Sequence, residues 1–197
     1  MNAEFLTAIV LYTFVTSITP GPNNLMLMVS GVNFGFARTV PHMLGVGLGF
    51  GLMVFLVGVG LMGVFHAIPH SNEALKAISV IYMLYLSWKM ATASSIGDGT
   101  SSGKPMTFSQ AAAFQWVNPK AWSMALTAVT LYATSETPAS VALVAVIFLL
   151  VNLPSISLWA LLGAQMRRLL DQPARLKLFN IAMAAMLVAS LYPVLKH

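Results

Sequence analysis

Six apolar blocks take up almost the whole of this sequence, and they decide what it can fold into. They run from Phe5 to Val32, Val40 to Phe65, Leu75 to Trp88, Phe108 to Ala133, Ala139 to Met166 and Leu178 to Leu195. Only 8% of the residues are charged and 58% are apolar, where soluble domains carry roughly 25% charged residues. So few charges cannot clothe a water-facing surface, and lipid is the solvent that suits the chain. An α-helix of about 20 apolar residues crosses a bilayer, so the chain is counted in spans rather than in soluble domains. No block alternates apolar and polar residues with period two, which argues against a lipid-facing β-barrel. Helices satisfy their own backbone polar groups, as hydrocarbon demands. The expected class is an all-α membrane protein with six transmembrane helices, residues 1–197 forming one transmembrane domain.

The connections set an orientation. Arg38, Lys89, Lys104, Arg167, Arg168, Arg175 and Lys177 fall on one side, against Lys76 and Lys196 on the other, with Lys120 inside an apolar block. Basic residues concentrate in cytoplasmic loops, so both termini are expected outside. The same rule accounts for the net charge of +5 without invoking nucleic acid. The chain has no cysteine, which removes disulfides, thiolate metal sites and thiol relays from consideration. The N-terminal block carries Glu4 and no basic residue before it, so it reads as a retained helix rather than a signal peptide.

A polar stretch from Thr92 to Lys104, rich in Ser, Gly and Thr, divides the chain. Repeat one covers about residues 1–91, the polar loop about 92–107 and repeat two about 108–197. Three helices per half is an odd number, so the halves must be inverted. The first helix of each half is broken, at Thr19-Pro20-Gly21-Pro22-Asn23-Asn24 and at Asn118-Pro119-Lys120. Matched Gly/Pro interruptions in two halves point to a transporter's binding site. Each proline lacks an N–H and crowds the carbonyl four residues back. Pro20 thereby frees the carbonyl of Thr16, Pro22 that of Ile18 and Pro119 that of Gln115. A carbonyl freed in lipid costs several kcal/mol unless something donates to it. Asn23, Asn24, Asn118 and Thr19 are candidate partners, as is a bound solute or ion. The alternative is a structural kink satisfied by neighbouring helices.

Lys120 is the one Lys, Arg, Asp or Glu well inside an apolar block. Its placement costs about 2.5–3.5 kcal/mol at a helix centre. It either pairs with a substrate carboxylate, takes part in proton coupling, or snorkels to an interface. Asn152, with Pro154 and Ser155, is expected to break the fifth block, and either reaches a central cavity or ties two helices together. The spacing of Gly31 with Gly35, Gly45 with Gly49 and Gly47 with Gly51 suits close helix packing and permits a homodimer without requiring one. Trp88, Trp116 and Trp159 suit headgroup anchoring, though the first two also suit a site wall. His42, His66 and His70 read as residues of connections. Their spacing makes no metal site.

These motifs resemble those of the lysine exporter / homoserine–threonine resistance family of amino-acid exporters. The resemblance rests on Thr19-Pro20-Gly21-Pro22-Asn23, on Gly31, Gly35 and Arg38, on Gly45, Gly49 and the run to Gly60, and on Gln115-Trp116-Val117-Asn118-Pro119-Lys120-Ala121. It extends over the whole chain in length and loop pattern. The segment Tyr82 to Ala91, with Trp88-Lys89, is most similar to the cysteine/O-acetylserine exporter branch. Many members carry an aspartate where this chain has Phe50, which removes an expected carboxylate for proton or cation handling and counts against a basic substrate. The resemblance implies efflux of a neutral or sulfur-containing amino acid, or of homoserine or threonine, by proton antiport across a bacterial inner membrane.

The expected protein is therefore a secondary transporter and not an enzyme. It has no cofactor or metal, and its partners are an amino acid, a coupling proton and the bilayer. The expected substrate site comprises Pro20, Gly21, Pro22, Asn23, Asn24, Asn118, Pro119, Lys120 and Asn152. The competing class is a non-transporting membrane partner or assembly subunit.

Overall fold

The structure, a computed structural model, describes residues 3–61, 67–93, 104–133 and 137–196. Every regular element among them is helical. Helix α1 (Ala3–Ile18) stops short of Pro20, because the residue before a proline is pushed out of the helical region. Helix α2 (Pro22–Phe34) starts on the second proline, whose missing N–H is an orphan at a first helical position anyway. The two axes are bent by 55°. Gly35, at φ 81°, ends α2 and returns its N–H to Gly31 O at 2.9 Å. Helix α3 (Phe36–Leu56) runs on through a π turn at Val57–Leu61.

Helix α4 (Ser71–Ala91) follows His70, which is left-handed at φ 60°. Helix α5 (Phe108–Phe114) opens on a capping box between Thr107 and Gln110 and runs into a 3-10 turn, Gln115–Val117. Helix α6 (Pro119–Tyr132) begins after Asn118, whose side chain accepts from Lys120 N at 3.1 Å. Helix α7 (Pro138–Met166) is capped by Thr137, and α8 (Pro173–Ala189) continues into the short α9 (Tyr192–Lys196). All six apolar blocks are thus helical where they are described.

Three stretches are long and apolar enough to cross a membrane alone: Phe36–Leu61, Pro138–Met166 and Pro173–Lys196. The bent pair α1 and α2 makes a fourth span if taken as one. In the most apolar part of Pro138–Met166 only 39% of the residues are buried, and in Pro173–Lys196 only 22%. Leu150, Leu178, Ile81 and Trp88 stand outward. A soluble fold hides such surface; here it is what lipid would cover.

Two expectations need correction. The fifth block does not break at Asn152 and Pro154, because α7 runs straight through both. The Ser155 and Ser157 hydroxyls donate to the carbonyls four residues back, Val151 O at 2.8 Å and Leu153 O at 2.6 Å. These bonds brace the turns on either side of Pro154, while the carbonyl that this proline releases is that of Leu150. His42 is not a connection residue: it lies inside α3 and is buried. His70 does sit in a connection, and His66 lies outside the described residues.

The interior is built around α2, α3 and α7. Gly31 of α2 lies against the Ala160 carbonyl of α7, and Gly163 of α7 against the Met28 carbonyl of α2, so close that neither position has room for a Cβ. This is the small-residue packing that brings membrane helices into backbone contact, and it occurs within one chain. A second apolar cluster joins Phe50 and Met53 of α3 with Trp122 and Ala125 of α6 and Phe148 of α7. A third joins α2, α4 and α8 through Leu25, Met83 and Phe179.

Candidate functional site

The two interruptions, about a hundred residues apart in sequence, meet. Phe5 near the start of α1 packs on Tyr132 at the end of α6, with ring centroids 5.9 Å apart. Thr19, just past the end of α1, meets Lys120 at the start of α6. The two segments therefore run antiparallel with their breaks at the same level.

The carbonyls at the end of α1 are all provided for. The Thr19 hydroxyl donates to Thr16 O at 3.0 Å. The Trp159 indole N–H, from α7, donates to Ile18 O at 3.0 Å. The Asn24 amide donates to Ser17 O at 2.8 Å and to Thr19 O at 2.7 Å. The Lys120 ammonium donates to Thr19 O at 2.8 Å, Thr19 Oγ1 at 2.9 Å and Pro20 O at 3.4 Å. At the second break, Gln115 O accepts from Asn118 N at 3.3 Å. All three carbonyls that the prolines of the two breaks release thus have donors. A cation at a helix C-terminus is stabilised by the helix dipole, by up to ~2 kcal/mol in partly buried geometry. Lys120 occupies that position on α1, and all of its acceptors there are neutral oxygens.

A cavity of about 30 Å³ opens beside these bonds. Six of the nine expected site residues line it: Gly21, Asn23, Asn24, Asn118, Lys120 and Asn152. The other three, Pro20, Pro22 and Pro119, lie beside it as the breaks themselves. Asn152 is 4% exposed and faces the cavity from the unbroken α7. Gly21 is extended, at φ −174°, so its backbone does not require glycine. Space does: a Cβ there would stand 2.6 Å from Lys120 Cδ. The lysine stem therefore lies directly over the break.

Sequence reasoning missed several participants. Gln115 is fully buried and exchanges two side-chain hydrogen bonds with Asn23, at 2.8 and 3.2 Å. It stood in the second motif and was the signal that the two motifs touch. Ser17 lines the cavity with its buried hydroxyl unpartnered. Phe50, Met124 and Ile156 form the apolar wall, with Phe50 edge-on to Phe148 at 5.5 Å. Trp159 serves the break through its bond to Ile18 O, and nothing in its local sequence announces this. Trp159→Phe is expected to strand the Ile18 carbonyl and to cost ~1–3 kcal/mol, read as a lower melting temperature in detergent. Among the described residues no cluster of His, Cys, Asp or Glu could hold a metal ion.

Comparison with known proteins bears on what this site serves. The model of the LysE type translocator family matches residues 14–190. The cysteine/O-acetylserine efflux protein of Escherichia coli (strain K12) is 33% identical over 191 residues, covering 95% of this chain and 96% of that protein. The protein of the same name from Shigella sonnei (strain Ss046) matches to the same extent, and that of Escherichia coli O139:H28 (strain E24377A / ETEC) is 32% identical over the same length. No solved structure matches. With a family match over nearly its whole length, and two proline breaks joined across a polar cavity, this chain belongs to the LysE type translocator family and is a membrane transporter rather than an enzyme.

Proposed function

We propose that this protein exports a small neutral amino acid of the cysteine/O-acetylserine class across a bacterial inner membrane, in exchange for protons. In this reading the chain has six spans in two inverted halves: α1 with α2, α3 and α4, then α5 with α6, α7 and α8. Both termini face outward, and residues 1–197 form one domain. The antiparallel run of the two broken segments and the one-sided distribution of Lys and Arg support the arrangement.

The observation that carries the reading is the bond from Lys120, on one break, to the carbonyls of the other, beside a cavity lined by four asparagines. In a low-dielectric site a charge must be paired. Among the described residues Lys120 has only neutral acceptors. A zwitterion improves on that: its carboxylate takes the Lys120 ammonium, and its own ammonium takes the Thr19 and Pro20 carbonyls that Lys120 releases. One cation replaces another at the end of α1, and Lys120 gains an anion. Asn24, Asn118, Asn152 and the Ser17 hydroxyl supply the remaining donors and acceptors.

Phe50, Met124 and Ile156 leave an apolar wall for a small side chain, with no carboxylate among the described lining residues to meet a basic one. A cavity of about 30 Å³ holds a water-sized group and not a whole amino acid, so loading requires the helices to part at their breaks. Among the described residues Lys120 is the one ionisable side chain lining the cavity, and is the group to carry the exchanged proton. A non-transporting partner would have no use for this constellation.

Reconstituted protein should show saturable counterflow of labelled O-acetylserine or cysteine, and an imposed pH gradient, acid inside, should drive accumulation against the solute gradient as protons leave. Absence of counterflow would reject the reading, and a rate indifferent to the pH gradient would reject the proton coupling.

A further inference from the structure

A second cavity lies at the other end of α2. It has a volume of about 170 Å³, against about 30 Å³ for the central one. It is an open pocket lined by α2, α3, α4 and residues 104–106, and its polar lining is Ser30, Asn33, His42, Lys89 and Lys104. Ser30 is already paired with Thr39 at 2.9 Å. Asn33 donates to Val29 O at 2.9 Å and to Asn180 Oδ1 at 3.3 Å. His42 is different: it is 1% exposed and neither ring nitrogen has a partner. Buried polar groups are nearly always hydrogen-bonded, and one left unpaired calls for an explanation. Lys89 and Lys104 are exposed at the mouth.

Asn24 faces the central cavity and Asn33 this one. They are nine residues apart on the same helix, which is about 13 Å of rise. The two cavities therefore lie in series along α2. This one is at the end that the excess of basic residues assigns to the cytoplasm, the face from which an exporter must load.

We propose that this cavity is a loading site for the exported solute. Lys89 and Lys104 gather the carboxylate of a small zwitterion, and His42 receives its ammonium on the acceptor nitrogen of the ring. The solute then passes along α2 to the central cavity. Much of its wall is apolar, with Met26, Val29, Leu86 and Met90, but the unpartnered His42 and the two lysines offer a zwitterion's charges partners that the acyl chain of a lipid would not use. The proposal rests on the export reading above and deepens it by placing a second subsite on the same path.

The test uses the full chain in membrane vesicles of both orientations, with labelled O-acetylserine. In everted vesicles, where the cytoplasmic face is presented, the double variant Lys89→Gln/Lys104→Gln and the single variant His42→Phe should each raise KM at least fivefold with kcat unchanged. His42→Gln, which keeps a donor and an acceptor, should recover part of the loss and guards against a packing effect. In right-side-out vesicles KM should not move. An unchanged KM in everted vesicles, or an equal rise on both faces, would overturn the loading site while leaving the export reading intact. Loss of the effect in proteoliposomes of phosphatidylcholine alone would also overturn it, by showing that the lysines serve anionic lipid. Absence of saturable transport by the unaltered protein would instead overturn the export reading, and this site with it.

Discussion

Lys120→Met is expected to cut solute flux at least tenfold and to leave a folded, inserted protein. The two outcomes separate because Lys120 is costly to the fold and useful to the solute. Placing a lysine within a span costs about 2.5–3.5 kcal/mol, and methionine of similar length removes that cost. The carbonyls that Lys120 serves are not all abandoned: Thr19 O keeps the Asn24 amide at 2.7 Å. Stability should therefore change little or rise. The solute carboxylate, by contrast, loses a charge-assisted hydrogen bond of about 1.5–3 kcal/mol, and each ~1.4 kcal/mol is a tenfold change. Counterflow and thermal melting of the same preparation check the two halves of this expectation.

Gly31→Val is expected to have the largest effect on stability. A Cβ at Gly31 would collide with the Ala160 carbonyl and stand 2.9 Å from Ala164 N. Both obstacles are backbone atoms, so no rotamer change relieves them and α2 must lift away from α7. Overpacking typically costs ~1–3 kcal/mol, and a clash of backbone with backbone should fall at or above the upper limit. A loss of ~3 kcal/mol corresponds to a fall of roughly 6–12 °C in melting temperature for a chain of this size. Gly51→Ala is the control. Nothing lies within 3.8 Å of its added Cβ, and the substitution should shift stability by no more than about 0.5 kcal/mol. Equal destabilisation by both would deny that the α2–α7 contact is specific.

The helices and the breaks were legible in the sequence because both follow from backbone chemistry. Apolar runs between basic connections mark helices for lipid, and Pro20, Pro22 and Pro119 mark where N–H groups go missing. What a freed carbonyl finds is not written locally. Ile18 O is met by Trp159 and Thr16 O by Thr19, one from a distant helix and one from three residues away. Pro154 carries the same local signal as Pro119, yet α7 stays whole, so the proline alone does not say which span will break. His42 was misplaced for the converse reason: a polar residue near Arg38 and Pro41 suggests a connection, but α3 begins at Phe36 and runs through Pro41. Gln115 was visible in a motif, but its reciprocal bonds with Asn23 belong to tertiary structure.

Solute binding to the purified protein and to Lys120→Met, measured by calorimetry with O-acetylserine and with its decarboxylated counterpart, bears most directly on the swap of cations at the end of α1. Removing the carboxylate should cost the unaltered protein at least tenfold in affinity and should cost the variant almost nothing, since the partner is already gone. An equal loss in both proteins would mean that the carboxylate is held elsewhere and that Lys120 only caps a helix.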